Sequence, residues 1–284
     1  MKSVMSGRGS AIGAALLAAA VMIGGAHAAQ PAGAYTPSVG QEGKDVIWVP
    51  TPQALVERML TVAEVKPTDY VVDLGSGDGR TVITAAKKFG ARALGLEYNP
   101  DMVELSKRNA EKEGVADRAQ FQRADIFATD FSSATVVTMY LLPSLNLKLR
   151  PIILAMKPGT RVVSHAFTMD DWNPDQTENV EGRTAYLWIV PAKVEGNWRL
   201  DLAGASPVRY EVEFRQRYQV LEGQARNGAK VLSVRDAKVR GEEVTFTLGD
   251  GSAARAFTGK LAGDRLEGTS KGSSEAKWTA TRAK

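Results

Sequence analysis

The chain has 284 residues, 44% apolar and 24% charged, a balance that excludes a disordered or collagen-like polymer and leaves room for a buried core. Cysteine is absent and histidine occurs only twice, which excludes a disulfide framework, a thiolate metal site and a cysteine nucleophile, and leaves little for a histidine-rich metal centre. The formal net charge is +4.

Lys2 and Arg8 precede an apolar run from Ala11 to Ile23, which is followed by Gly24-Gly25 and the small-residue triplet Ala26-His27-Ala28. That order predicts a secretory signal over residues 1–28 with cleavage before Ala29, and so an exported protein, periplasmic or secreted. The competing reading is an uncleaved membrane anchor through residues 11–28. No later stretch has the roughly 18 consecutive apolar residues of a spanning helix, so no stable membrane span is expected after cleavage. Without Lys2 and Arg8 the net charge is +2, divided as −3 up to about residue 192 and +5 beyond it. Charge spread so thinly reads as solvated faces and leaves no footprint for nucleic acid.

Residues 29–46 are rich in Pro, Gly and Ala and read as a flexible, loosely packed arm. Thr51-Pro52 predicts a helix start with threonine as cap, and Leu55, Val56, Met59, Leu60 and Ala63 then share one helical face. Tyr70–Leu74 reads as a short apolar strand, and Val82, Ala85, Ala86 and Phe89 as a helix closed by Gly90. Further strands are expected over 91–97, 120–124, 135–142 and 160–167. Between them lie a helix opened by Asn99-Pro100 and another marked by Leu145, Leu149, Ile152 and Met156, interrupted at Pro151. Tyr186 to Val190 completes the series as a strand at the sheet edge. Strands alternating with helices define an α/β domain over 47–195, a Rossmann-like sheet with helices on both faces.

Beyond it the period changes. Tyr210, Val212, Phe214, Tyr218 and Val220 alternate with polar residues, Val244, Phe246 and Leu248 repeat the pattern, and turns are signalled at Asn227-Gly228, Gly249-Asp250-Gly251 and Gly263-Asp264. Residues 196–284 are therefore expected as a second, antiparallel domain, a β meander or small barrel with the aromatic residues in its core.

Chemistry concentrates in Val72-Asp73-Leu74-Gly75-Ser76-Gly77-Asp78-Gly79-Arg80, which leaves a buried strand and opens a helix. Its glycines allow a sharp turn and close approach of a ligand to the backbone. The spacing is G-x-G-x-G, neither the dinucleotide G-x-G-x-x-G nor a P-loop, which would need a Gly-Lys-Ser/Thr. Two more acids fall at the next strand ends: Glu97, placed to accept hydrogen bonds from ribose hydroxyls, and Asp125, placed within reach of an adenine amino group.

With these residues the sequence resembles the class I S-adenosylmethionine-dependent methyltransferases over about residues 47–192. The resemblance implies S-adenosyl-L-methionine as cofactor, with Asp73, Gly75 and Gly77 on its amino-acid portion and Asp78 joining through water. It places Glu97 on the ribose, Tyr98 on the purine face, and Asp125 with the Ile126 amide on the purine edge. Within that class, Val49-Pro50-Thr51-Pro52, Glu97-Tyr-Asn-Pro100 and Tyr140-Leu-Leu-Pro143 are similar to the ATP synthase c-subunit lysine methyltransferase-like proteins, which implies a protein-lysine acceptor in an envelope or membrane-associated protein. The Asn-Pro-Pro-Tyr signature of amino-methylating nucleic acid enzymes is replaced by Tyr140-Leu141-Leu142-Pro143, against a nucleic acid substrate.

Tyr140 is the candidate catalytic residue, lining the acceptor slot or else packing on the following helix. His165 reads as a core or strand-end histidine, and Trp172 as the lip of the acceptor site or a cap on the core. Asp170-Asp171 reads as a turn, and no metal is expected. The alternatives left open are an exported binding module that keeps the cofactor fold without turnover, and a small-molecule or lipid methyltransferase.

Overall fold

The computed structural model describes residues 35–204 and 206–283, so the leader expected over 1–28 lies outside the described residues. The chain builds α1 (Gln53–Val62), β1 (Tyr70–Leu74), α2 (Arg80–Phe89), β2 (Arg92–Glu97), α3 (Pro100–Lys112), β3 (Ala119–Arg123), β4 (Val136–Met139), α4 (Pro143–Leu154), β5 (Arg161–His165), β6 (Gln176–Val180) and β7 (Arg183–Ile189). The sheet order is β3-β2-β1-β4-β5-β7-β6, parallel except where β7 runs against both its neighbours. Adjacent valines point to opposite faces, as the two-residue period of a strand requires. Val71, Val136 and Val163 pack beneath α1, α2 and α3, while Val72, Val137 and Val162 join Leu149 and Ile153 of α4. The parallel strands thus end together at one edge, and the loops after β1, β2, β3 and β4 open there.

Eight further strands follow: β8 (Gly196–Leu202), β9 (Val208–Arg217), β10 (Val220–Asn227), β11 (Lys230–Arg240), β12 (Glu243–Leu248), β13 (Arg255–Ala262), β14 (Arg265–Lys271) and β15 (Glu275–Arg282). They form a closed antiparallel barrel in which β15 returns to pair with β8. Closure removes the open edges that a meander would expose. Its interior is filled by side chains, with Phe246 and Phe257 stacked 4.7 Å apart and Trp278 edge-on to both. Sheet and barrel belong to one compact unit that starts at Tyr35.

Several expectations are corrected. Tyr186–Val190 is not an edge: β7 is interior and β6, a polar strand without an apolar signal, pairs outside it. The helix near Pro151 is not interrupted, because α4 runs through it, and exposed Leu147 leaves solvent at hand for the carbonyl that the proline cannot bond. Thr51 does not cap α1; Pro52 is the cap residue, and the Thr51 hydroxyl lies 3.1 Å from His165 Nδ1. The alternating run through Val220 is two strands joined by a turn at Tyr218, whose φ is +54°. Of the three aromatics assigned to the barrel core, Phe214 is fully buried there and Tyr210 packs at its border, but Tyr218 packs on the sheet domain. The stripe breaks at Gln216, which holds the linker instead, accepting from the Val194 amide at 2.7 Å and donating to the Ala192 carbonyl at 2.8 Å.

Gly259 faces Gly268 across β13 and β14. A Cβ at Gly259 would lie 2.4 Å from the Trp278 ring, so only glycine admits that indole at the barrel centre. We expect Gly259→Ala to cost about 1–3 kcal/mol by overpacking, read as a lower urea midpoint.

Candidate active site

The turn after β1 places Gly75, Gly77 and Gly79 at φ values of +78°, +55° and +83°, a left-handed series that residues with side chains rarely adopt. The Gly75 and Ser76 amides both donate to the Leu96 carbonyl at the end of β2, and the Gly77 amide donates to Glu97 Oε2 at 2.9 Å. Glu97 Oε1 accepts from the Asn99 amide, also at 2.9 Å. The far side of the turn is tied down by Ser106 and Asn109 of α3, which donate to the Gly77 and Asp78 carbonyls.

Asp73 is buried and accepts a 2.6 Å hydrogen bond from Thr138. Burial, with the nearby charges of Glu97 and Asp78 adding to it, pushes its carboxyl up to about 7. Asp78 is neutralised by Arg80, whose guanidinium also donates to the Thr51 carbonyl. Asp73 and Glu97 meet no such cation on the cavity side among the described contacts.

The cavity at this edge measures about 730 Å³. Asp73, Gly75, Gly77, Asp78, Glu97, Tyr98, Asp125, Ile126 and Tyr140 all line it. His165, Asp170, Asp171 and Trp172 do not. His165 lies behind Tyr140, with ring centroids 3.8 Å apart. Burial lowers it to about 4, so it is neutral at physiological pH. Trp172 is no lip: it is completely buried against Trp188 and Tyr218. Asp171 is an ion-pair hub with Arg150 and Arg217, and no metal-holding cluster occurs among the described residues.

Two contributors, the arm and Phe167, carried no sequence signal. The segment read as a loosely packed arm folds back between Gly40 and Trp48, whose backbones are hydrogen-bonded, and becomes one wall of the cavity. Its Lys44 pairs with Asp125 at 2.6 Å and lies over the Tyr98 ring, and Trp48 covers Gly77, where a Cβ would come within 2.7 Å of the indole nitrogen. Across the cavity stand Tyr140, Leu141, Leu142 and Phe167, the last from a loop with Ala166 at φ +64° and Asp170 at φ +57°. Each such left-handed non-glycine residue costs about 1–3 kcal/mol and persists only where its surroundings hold it.

A glycine turn beside acidic strand ends at the open edge of the sheet is the arrangement that the resemblance to class I methyltransferases leads us to expect. Comparison with known proteins agrees. The model of the ANTKMT methyltransferase domain matches residues 73–176. A protein-lysine N-methyltransferase of Saccharolobus islandicus is 46% identical over 151 residues, which is 51% of this chain and 94% of that protein. The lysine N-methyltransferase of the ATP synthase c-subunit from Homo sapiens is 37% identical over 119 residues, 41% of this chain but only about half, 51%, of that protein. Among solved structures, an RNA methyltransferase from Salinibacter ruber in complex with S-adenosyl-L-homocysteine is 53% identical with a TM-score of 0.50, covering 51% of this chain and 96% of that one. The chain belongs to the class I S-adenosylmethionine-dependent methyltransferases, and it is an enzyme of that class.

The residues present fit the cofactor. Carboxylates facing the cavity without a cation suit a ligand carrying an ammonium and a sulfonium, and the side-chain-free turn leaves its backbone open to close approach.

Because Asp73 binds its proton more tightly when folded than when unfolded, its contribution to stability is greatest at acidic pH and is lost as pH rises from about 4 to about 7. We expect Asp73→Asn to flatten the fall in Tm across that window in the cofactor-free protein; an equal fall in the variant would place the titration elsewhere. Lys44 occupies the carboxylate that the sequence assigns to the purine edge. Exposed ion pairs are worth about 0–1 kcal/mol, so calorimetry on Lys44→Ala should show S-adenosylhomocysteine bound as tightly as before or up to about fivefold more tightly.

Proposed function

We propose that this methyltransferase acts on lysine side chains of a protein, and that its substrate is exported or associated with the cell envelope or a membrane. The observation that carries the acceptor class is the wall formed by Tyr140, Leu141, Leu142 and Phe167 beside the acidic cradle. It is aromatic and aliphatic where an amino-methylating nucleic acid enzyme would place Asn-Pro-Pro-Tyr. The names of the relatives support the same acceptor, since they include N-methyltransferases of protein lysine, of ATP synthase c-subunit lysine and of adenine nucleotide translocase lysine.

When bound, S-adenosylmethionine supplies an electrophilic methyl group on a cationic sulfur. The chain's own task is to deliver a neutral amine in line with it. An ordinary lysine, with a pKa of about 10.4, is almost wholly charged at neutral pH. An apolar slot beside a cation lowers that value, because desolvation and charge repulsion both disfavour the ammonium. Tyr140 excludes water with its ring and orients the incoming nitrogen with its hydroxyl. His165 behind it is neutral, so the wall stays a stack of uncharged rings. Alignment of nucleophile and methyl then supplies most of the rate, an effect worth up to roughly 7–11 kcal/mol. In the same reading Glu97 binds the ribose, Tyr98 covers the purine, and Asp125 with the Ile126 amide reads its edge.

The envelope setting rests on the leader pattern of Lys2, Arg8 and Ala11 to Ile23. Among the described residues no helix is long and apolar enough to cross a membrane. N-terminal sequencing of the protein from cells should begin at Ala29; a start at Met1 would favour the anchored form. The name of the Salinibacter ruber structure favours RNA as a second acceptor class.

One assay separates them. With methyl-labelled cofactor, an envelope protein fraction should become labelled on lysine, located by mass spectrometry, while total RNA should not. Label in RNA alone would overturn the lysine assignment. Glu97→Ala should weaken cofactor binding by about 1.5–3 kcal/mol, roughly 12-fold to 150-fold, through loss of charge-assisted hydrogen bonds.

A further inference from the structure

The acceptor wall leans on a loop that sheet and barrel hold jointly. From α4, Asn146 donates to the Phe167 and Thr168 carbonyls at 3.2 and 3.3 Å, and Arg150 donates to the Met169 carbonyl at 2.9 Å. These two residues are one helical turn apart and so face the loop together. From the barrel, Arg217 and the Tyr218 hydroxyl both reach Asp171, at 2.7 and 3.1 Å. The Tyr218 ring stacks on Trp172 with centroids 5.8 Å apart, and the Arg150 guanidinium lies over the same ring at 5.6 Å. Gln219 donates to the Asn173 carbonyl at 2.6 Å. The barrel thus presents the turn between β9 and β10 to this loop, and left-handed Tyr218 is one of the two residues of that turn.

Family resemblance does not explain this arrangement, since the matched domain model ends at residue 176, before the barrel begins. Nor does Tyr218 serve the barrel core, which its ring leaves. Its contacts are spent on Asp171, Trp172 and Arg150, whereas Phe167, a few residues earlier in the same loop, stands against Tyr140 with centroids 6.2 Å apart.

We propose that the β9–β10 turn is a positioning element for methyl transfer: Tyr218 and Arg217, acting through Asp171, Trp172 and Arg150, hold the 166–173 loop with Ala166 and Asp170 left-handed and so keep Phe167 against Tyr140. The barrel on this view is part of the acceptor site, and Tyr218 is a positioning residue that never touches the substrate. The inference rests on reading Tyr140 and Phe167 as the acceptor wall.

The test uses the full chain. Tyr218→Asn removes ring and hydroxyl while tolerating the positive φ, Tyr218→Phe removes the hydroxyl alone, and Arg217→Gln removes the charge. For Tyr218→Asn we expect acceptor kcat/KM to fall by about tenfold or more, with the Kd for S-adenosylhomocysteine within about twofold of the parent. Tyr218→Phe and Arg217→Gln should show smaller losses of the same kind and serve should Tyr218→Asn fail to fold. Equal loss of cofactor binding and turnover, or normal acceptor kinetics below a lowered Tm, would overturn the proposal by showing a merely structural clamp.

A readout free of the acceptor's identity is the fluorine resonance of 4-fluorophenylalanine at position 167, assigned with Phe167→Leu. It should shift or broaden in the Tyr218 variants, and an unchanged resonance would also overturn the proposal. A moved resonance in a protein that labels no lysine would instead count against the lysine reading and leave the positioning role standing.

Discussion

The active edge of this molecule depends on one crossing, where the chain leaving β1 turns over the end of β2. The Leu96 carbonyl collects two amides of the turn and the Glu97 carboxylate a third, so the two strand ends are stitched by backbone donors that a wider turn could not present. The turn is tight because Gly75, Gly77 and Gly79 are left-handed at alternate positions, a conformation that glycine adopts without steric cost. The consequence is electrostatic as much as geometric. Burial raises the proton affinity of Asp73, and the nearby charges of Glu97 and Asp78 add to it, leaving a concave acidic surface prepared for a cationic ligand.

Around that crossing the cavity has walls of different character. Toward the arm it is polar and charged, with Lys44 paired to Asp125 and Trp48 pressed on the glycine turn. Toward the ends of β4 and β5 it is aromatic and uncharged, because burial keeps His165 neutral behind Tyr140. The first wall suits a nucleoside, the second a side chain that must shed its hydration before it reacts. The barrel is fastened to the second side through Asp171 and through Gln216, which grips the linker, so it stands beside the acceptor wall rather than trailing as an appendage.

Much of this was legible in the chain itself. The strand ends at Asp73, Glu97 and Asp125, the glycine turn between them and the helix cap at Asn99 are local features, set by two-residue and 3.6-residue periods and by residues that only certain backbone angles accept. What stayed hidden was non-local. β6 has no apolar stripe because none of its residues is buried on either face, so a period-based reading passes over it. The run from Tyr210 to Val220 looks continuous because alternation survives a two-residue turn, and nothing short of the paired strands reveals that Tyr218 has left the barrel.

The sequence by itself determined the class of sheet and the acidic cradle, since those follow from short-range pattern and from chemistry carried at neighbouring strand ends, while the cofactor followed from the family that those residues resemble. Tertiary structure alone decided that Lys44 reaches Asp125, 81 positions away in sequence, and that Tyr218 reaches Trp172. It also decided that a polar arm walls the cavity and that the eight last strands close on themselves. These are contacts between segments with no common period. Their partners are chosen by the packing of the whole, where burial and complementary charge select one arrangement from many that the local pattern would equally allow.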